Sequence, residues 1–358
     1  MTPPLITHLY TADPSAHVFE GKVYIYPSHD RETDIKFNDN GDQYDMADYH
    51  VFSTSSLTPP YSVTDHGVVL RTGDVPWASK QLWAPDAATK NGKYYLYFPA
   101  RDKEGIFRIG VAEAPSPSGP FTPDPEPIPG SYSIDPASFV DPDTGDAYLY
   151  FGGLWGGQLQ CYQGTTTSTS TTTSTSTTTS TAEEGGGKPD AHGVPPFDAA
   201  WSGPKEPSGA GKQALFPKVA PLSSDMHTFS SPARDLVILA PETGDPIPAD
   251  DHDRRFFEAA WMHKRGATYY FSYSTGDSHY LVYAVGDSPL GPFTYAGRIL
   301  EPVLGWTTHH SIVEFEGRWW LFHHDCEMSK GVSHLRNVKV VEIFYDEEGR
   351  ILPVKAEE

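Results

Sequence analysis

Five times along the chain a glycine opens a run rich in aromatic residues: GKVYIYPS from Gly21, GKYYLYFPA from Gly92, GDAYLYFGG from Gly145, GATYYFSYS from Gly266 and GRWWLFHHD from Gly317. Each run alternates roughly between apolar and polar positions, the pattern of a turn entering a strand with one buried face. Counted from the first aromatic of each run (Tyr24, Tyr94, Tyr148, Tyr269, Trp319), the spacings are 70, 54, 121 and 50 residues. Five units of this size, built from short strands, predict an all-β fold: a single five-bladed β-propeller filling residues 1–358. A second echo supports the repeat. SPSGPFTPD (116–124) and SPLGPFTYA (288–296) each follow an alternating strand, RIGVAEA or YLVYAVG.

The long third spacing is accounted for by residues 162–215, which contain seventeen consecutive Thr/Ser residues (165–181) and a Gly/Pro-rich continuation. Such a composition cannot bury a core, so this stretch reads as a disordered Ser/Thr/Gly-rich insertion between blades three and four. A glycosylated stalk is the other reading, and it requires secretion.

Charge and cysteine content exclude several functions. With 26 basic and 47 acidic residues, the net charge of −21 repels phosphate backbones and anionic lipid, so neither nucleic acid nor membrane is an expected partner. Only Cys161 and Cys326 are present, too few for a disulfide framework, and buried thiols are expected. The N-terminal sequence has no basic start followed by an unbroken apolar stretch, so a cytoplasmic protein is the expectation.

An ionisable residue precedes every aromatic run. Asp13 lies 11 residues before Tyr24, Asp86 8 before Tyr94, Asp135 13 before Tyr148, Glu258 11 before Tyr269 and His309 10 before Trp319. In a propeller the strand before the turn is the innermost, so the shared phase predicts that these five groups converge on one axial funnel. Crowded carboxyls in a partly desolvated site have divergent pKa values, which is what paired acid and base catalysis requires. Taken singly, an Asp before Pro, as in TADP and SIDP, caps turns, Glu258 could be a solvated strand residue, and His309 a satisfied buried histidine.

These segments resemble glycoside hydrolase family 43, whose five-bladed propellers act on arabinose- and xylose-containing glycans. TADPSAHVFEGKVYIYPSHD is similar to the motif of the general base, which implies that role for Asp13. SIDPASFVDPDTGDAYLYFGG is similar to the motif of the aspartate that tunes and orients the acid, implying Asp135, and RRFFEAAWMHKRGATYYFSYSTG to that of the general acid, implying Glu258. TTHHSIVEFEGRWWLFHHD resembles the fifth-blade segment whose histidine helps hold a central cation through water; His309 is the better match, with His310 beside it. HLRNVKVVEIFYDEEGRI suggests Arg336 as a substrate ligand, and LWAPDAATKNGKYYLYF sets Trp83 and Asp86 near the axis.

The resemblance covers roughly residues 4–354 apart from the insertion. It implies inverting hydrolysis with no cofactor in the chemistry itself, a structural Ca2+ at the axis, and xylo- or arabinoxylo-oligosaccharides as substrates. Arabinan-acting α-L-arabinofuranosidase activity is the alternative within the family. Trp77, Trp83 and Phe37 are candidate stacking platforms for a neutral sugar, each also readable as core packing. A catalytically silent carbohydrate-binding propeller would lack the acid or the base, and this chain has both. A propeller scaffold for protein partners would need an interaction motif that the sequence does not display.

Overall fold

The computed structural model describes residues 2–162, 188–201 and 206–355. Five antiparallel sheets follow one another along the chain. Blade 1 runs Tyr10–Phe19, Lys22–Asp30, Asp48–Thr54, Val63–Arg71, in that spatial order. Blade 2 has Asp86–Lys90 innermost, then Lys93–Asp102, Phe107–Ala114 and Thr122–Pro123, with Ala78–Lys80 pairing the far end of Lys93–Asp102. Blade 3 is Ala137–Val140, Ala147–Phe151, Lys218–Pro221 and Arg234–Asp235. Blade 4 is Glu258–Arg265, Thr268–Ser274, Leu281–Gly286 and Phe293–Leu300, edged by a parallel pairing with Ile238–Leu239. Blade 5 has three strands, His310–Phe315, Arg318–Asp325 and Asn337–Ile343.

The glycine-led aromatic runs are the second strands, and the turns before them explain the glycines. Glu20–Gly21, Asn91–Gly92 and Glu316–Gly317 each have two successive residues at positive φ, the two-residue hairpin turn whose twist matches that of the strands. The two SP(S/L)GPFT echoes end in the outermost strands of blades 2 and 4.

The five innermost strands touch in cyclic order, blade 1 to 2, 2 to 3, 3 to 4, 4 to 5 and 5 to 1, so the ring closes as a five-bladed propeller. Apolar clusters fill the wedges between blades. Leu5, Ile6, Ile25 and Phe52 meet Trp320, Phe322, Val338 and Val340 where the last blade joins the first. Main-chain bonds from Leu5 N to Val338 O (2.8 Å) and Thr11 N to Arg336 O (2.9 Å) stitch the same junction. Burial of this apolar surface is the main driving force for closure.

The insertion is corrected at both ends. Residues 163–187, which hold the Thr/Ser run, lie outside the described residues. Tyr162, however, is buried, Val194 and Leu215 join the large core cluster, and Tyr162 bridges to Phe197. The Gly/Pro-rich continuation therefore packs back onto blade 3, because it carries apolar anchors at Val194, Phe197, Leu215 and Phe216. Cys161 and Cys326 are both buried, as expected. Among the described residues no helix is long and apolar enough to cross a membrane.

Candidate active site

At the axis the chain breaks its own strand geometry. Asp13 and Asp135 have φ of 49° and 55°, and Ala259, next to Glu258, has φ of 63°. This left-handed region is costly for residues other than glycine, and aspartate is among those that tolerate it best. In blades 1 and 4 the register slips between Ala12 and Ser15 and between Glu258 and Trp261, so each inner strand bulges at the functional residue. Bulges re-aim side chains, and here Asp13, Asp135, Glu258 and His309 all line one pocket at the centre of the ring. The pocket measures about 640 Å³ including its open mouth.

The three carboxyls sit in different electrostatic settings. Asp13 Oδ1 accepts a hydrogen bond from Arg336 Nη1 (2.8 Å), and Oδ2 accepts one from the Ser28 hydroxyl (2.7 Å). Its backbone N–H donates to His324 Nδ1 (3.0 Å). Burial raises the Asp13 pKa, but Arg336 first, then His324, His309 and Ser28, outweigh it and hold the carboxyl down at about 2. Burial, with Arg336 beside it, also holds the His324 ring down at about 3, so it is neutral and its Nδ1 is free to accept. A carboxylate with a folded pKa below its unfolded value stabilises the fold above about pH 4, and that contribution is lost as pH falls toward 2.

Glu258 is the opposite case. Its carboxyl opens partly to the pocket but otherwise sits among protein atoms, and no described residue donates a hydrogen bond to it. Burial first, then the charges of Asp135 and Asp13, push its pKa well above the usual carboxylate range. Asp135 is raised too, chiefly by burial, but its Oδ2 accepts the Ala259 N–H (2.8 Å) and lies 3.8 Å from His309 Nε2. These contacts favour the ionised form at Asp135, so of the two the proton resides on Glu258. One pocket thus holds an ionised carboxylate fixed by arginine and a carboxylic acid kept neutral by its surroundings, the pairing that acid–base hydrolysis demands.

The other residues singled out from sequence divide. Trp83 lines the wall, its indole N–H donating to Tyr44 O (2.8 Å), and Phe37 stands exposed at the mouth. Trp77 does not reach the pocket: it stacks on Phe98 in the core between blades 1 and 2. Asp86 is also absent from the lining. It is fully buried, accepting hydrogen bonds from Ser15 of blade 1 and from the N–H and hydroxyl of Ser138 of blade 3, and so ties three inner strands together. His310 is buried against Ser272 Oγ (2.6 Å), because strand alternation turns it to the opposite face from His309. Arg336 lines the pocket, but its Nη1 holds Asp13 while Nε and Nη2 hold Asp30 (2.9 and 2.8 Å). It positions the aspartate before anything else.

Several lining residues escape sequence reasoning. The connection 31–47 between the second and third strands of blade 1 folds over the axis and contributes Asn38, Gln43, Tyr44 and Met46. Trp155, Phe257 and Trp306 come from loops of three blades and form a collar, with Trp155 and Trp306 ring centroids 5.3 Å apart. Trp155 follows an aromatic run and Trp306 precedes an inner strand by a few residues, so loop position relative to the repeat is the signal that would have found them.

With this geometry in view, the relatives are informative. A model of glycosyl hydrolases family 43 matches residues 2–191. Xylosidase/arabinosidase 43A of Humicola insolens is 72% identical over 354 residues, 99% of each chain. The chain belongs to glycosyl hydrolase family 43. It is therefore a glycoside hydrolase, and the five-bladed propeller is the family 43 architecture. A xylosidase/arabinosidase of Bacteroides ovatus is 50% identical, covering 98% of this chain and 96% of its own. Among solved structures, CoXyl43, a family 43 β-xylosidase/α-arabinofuranosidase from a compost microbial metagenome, in complex with xylotriose and in a calcium-free form, superposes with a TM-score of 0.85 at 53% identity, covering 99% and 97% of the two chains.

One wall of this family 43 pocket rests on a glycine. A Cβ on Gly276 would lie 2.2 Å from the Phe257 ring, and the residue has φ of 74°. Gly276→Ala therefore displaces Phe257 and the adjoining Glu258. The expected result is a loss of about 1–3 kcal/mol in denaturant unfolding, by overpacking and backbone strain, together with reduced kcat. Unchanged stability would mean that the ring yields freely.

Proposed function

We propose that the chain removes terminal xylose, and α-L-arabinofuranose, from xylo- and arabinoxylo-oligosaccharides with inversion at the anomeric carbon. The observation that carries this reading is one pocket holding both Asp13, clasped by Arg336 and Ser28, and Glu258, which no described residue bonds, an arrangement that favours charge on the first and a proton on the second. Asp13, ionised, takes the proton of a water as its oxygen attacks the anomeric carbon. Glu258 gives its proton to the departing glycosidic oxygen, so no free alkoxide has to form. Asp135 stays charged beside Glu258, keeping the acid protonated until substrate arrives. The aromatic collar offers apolar faces to a neutral sugar.

The names of the relatives, which combine xylosidase and arabinosidase, support both substrates. The test is hydrolysis of 4-nitrophenyl β-D-xylopyranoside and 4-nitrophenyl α-L-arabinofuranoside, with the product anomer read by NMR. Turnover of both, with inverted product appearing first, is expected. No turnover by the folded protein, or product of retained configuration, would refute the assignment.

A cation at the axis has one group suited to it. His309 Nδ1 accepts the His310 N–H (2.8 Å), so Nε2 carries the hydrogen and faces the axis as a buried donor without a protein partner. That fits contact with the water shell of a Ca2+ ion rather than direct ligation, and Asp135 supplies opposite charge nearby. Bound there, the ion would add positive charge beside Asp135.

Asp135→Asn tests the tuning role. Removing its charge withdraws one of the causes that raise Glu258, so the alkaline limb of the kcat/KM profile should move to lower pH. A limb that stays in place would assign Asp135 to substrate binding alone.

A further inference from the structure

Blade 1 carries a second group of metal-ligating side chains, away from the pocket. Asp48 and His50 alternate onto one face of the strand Asp48–Thr54, and His29 comes from the adjoining antiparallel strand Lys22–Asp30. The two strands pair from Val23–Thr54 to Ile25–Phe52, and beyond that pairing the His29 ring meets the Asp48 carboxylate directly. Ligand atoms of His29, Asp48 and His50 all lie within 4.8 Å of one another, and among the described residues no other group of three meets that condition. All three are partly buried, and none lines the pocket.

We propose that His29, Asp48 and His50 bind a first-row divalent metal of the zinc class. Two imidazoles and a carboxylate are the ligand set that such ions favour, whereas Ca2+ and Mg2+ take oxygen. The surroundings are arranged as they are around bound zinc. His50 Nδ1 is hydrogen-bonded to Asp65 Oδ1 (3.0 Å), which fixes the ring and leaves Nε2 for the ion. Asp65 is itself held through Oδ2 by His8 Nε2 (2.9 Å). His29 Nδ1 and Asp48 Oδ1 are 2.6 Å apart, so an ion replaces the hydrogen they share and that proton leaves to solvent.

Three protein ligands leave a further position for water. Metal binding would also clamp the strand that supports the base, since the neighbours of His29 in sequence, Ser28 and Asp30, hold Asp13 and Arg336.

The experiment uses the full chain stripped with a chelator and then freed of it. Zn2+ alone is titrated by calorimetry and Co2+ by visible absorption, with His309→Ala as a control for any axial binding. One equivalent of Zn2+ is expected, with a rise in Tm of about 2–4 °C at saturation and a Co2+ spectrum of nitrogen and oxygen coordination. Both persist in His309→Ala, disappear in the double variant His29→Ala/His50→Ala, and weaken at least about tenfold in Asp48→Asn. Failure of the wild type to bind, or binding that survives the double variant, overturns the proposal. Should circular dichroism show the double variant unfolded, X-ray absorption of the Zn2+-loaded wild type decides, because a first shell without two imidazoles refutes the site.

Discussion

Replacing Glu258 with Gln should cut turnover of xylobiose by about 10²–10⁴-fold while leaving sugar binding intact. Gln keeps the size of the side chain and removes the transferable proton. The loss should depend on the leaving group. A sugar hydroxyl departs as a strongly basic alkoxide unless protonated, whereas 4-nitrophenolate is stable near neutral pH, so the 4-nitrophenyl glycoside should suffer far less. The comparison is made from kcat/KM on both substrates. An equal loss on both would mean that Glu258 positions the sugar and donates no proton in the transition state. Sequence alone singled out Glu258 as a candidate; its burial without a hydrogen-bond donor is what predicts that the acid form persists at neutral pH.

Arg336→Ala should damage both stability and rate. The guanidinium is buried and bonded to Asp13 and Asp30, so its removal leaves two carboxylates without their countercharge. Breaking a buried pair from one side costs about 3–5 kcal/mol, and this change strips two partners at once. Asp13 also loses the largest influence lowering its pKa, so the acidic limb of the kcat/KM profile should move to higher pH. Unfolding by denaturant and the pH profile measure the two effects separately. A variant with raised KM but unchanged stability and acidic limb would return Arg336 to the substrate-contact role that the family motif implied.

The ionisable inner-strand residues that sequence reading brought to the pocket share one property: each occupies a fixed phase of the repeat. Asp13, Asp135, Glu258 and His309 all precede an aromatic run, and all four line the pocket. Asp86 has the same phase but lies buried among Ser15 and Ser138. Phase sets the strand and its end, not whether the side chain points along the axis or between neighbouring blades. Trp77 takes the core-packing role and not the sugar-platform one for a related reason. Tryptophan serves both as core filler and as sugar platform, and only contact with Phe98 reveals which role it takes. His309 and His310 are adjacent, and strand alternation alone separates the pocket residue from the buried one.

From the sequence by itself came the blade number, the all-β class and the four ionisable pocket residues that share the repeat phase, because repeated hairpins and a shared polar phase are local patterns that survive without coordinates. The tertiary structure decided the rest. The bulges and left-handed residues that turn Asp13, Asp135 and Glu258 inward, the arginine clasp from the far end of the chain, and the collar of Trp155, Phe257 and Trp306 join segments up to 323 residues apart. Such contacts depend on ring closure, and the protonation states that define the chemistry depend on burial and on charges that closure alone brings together.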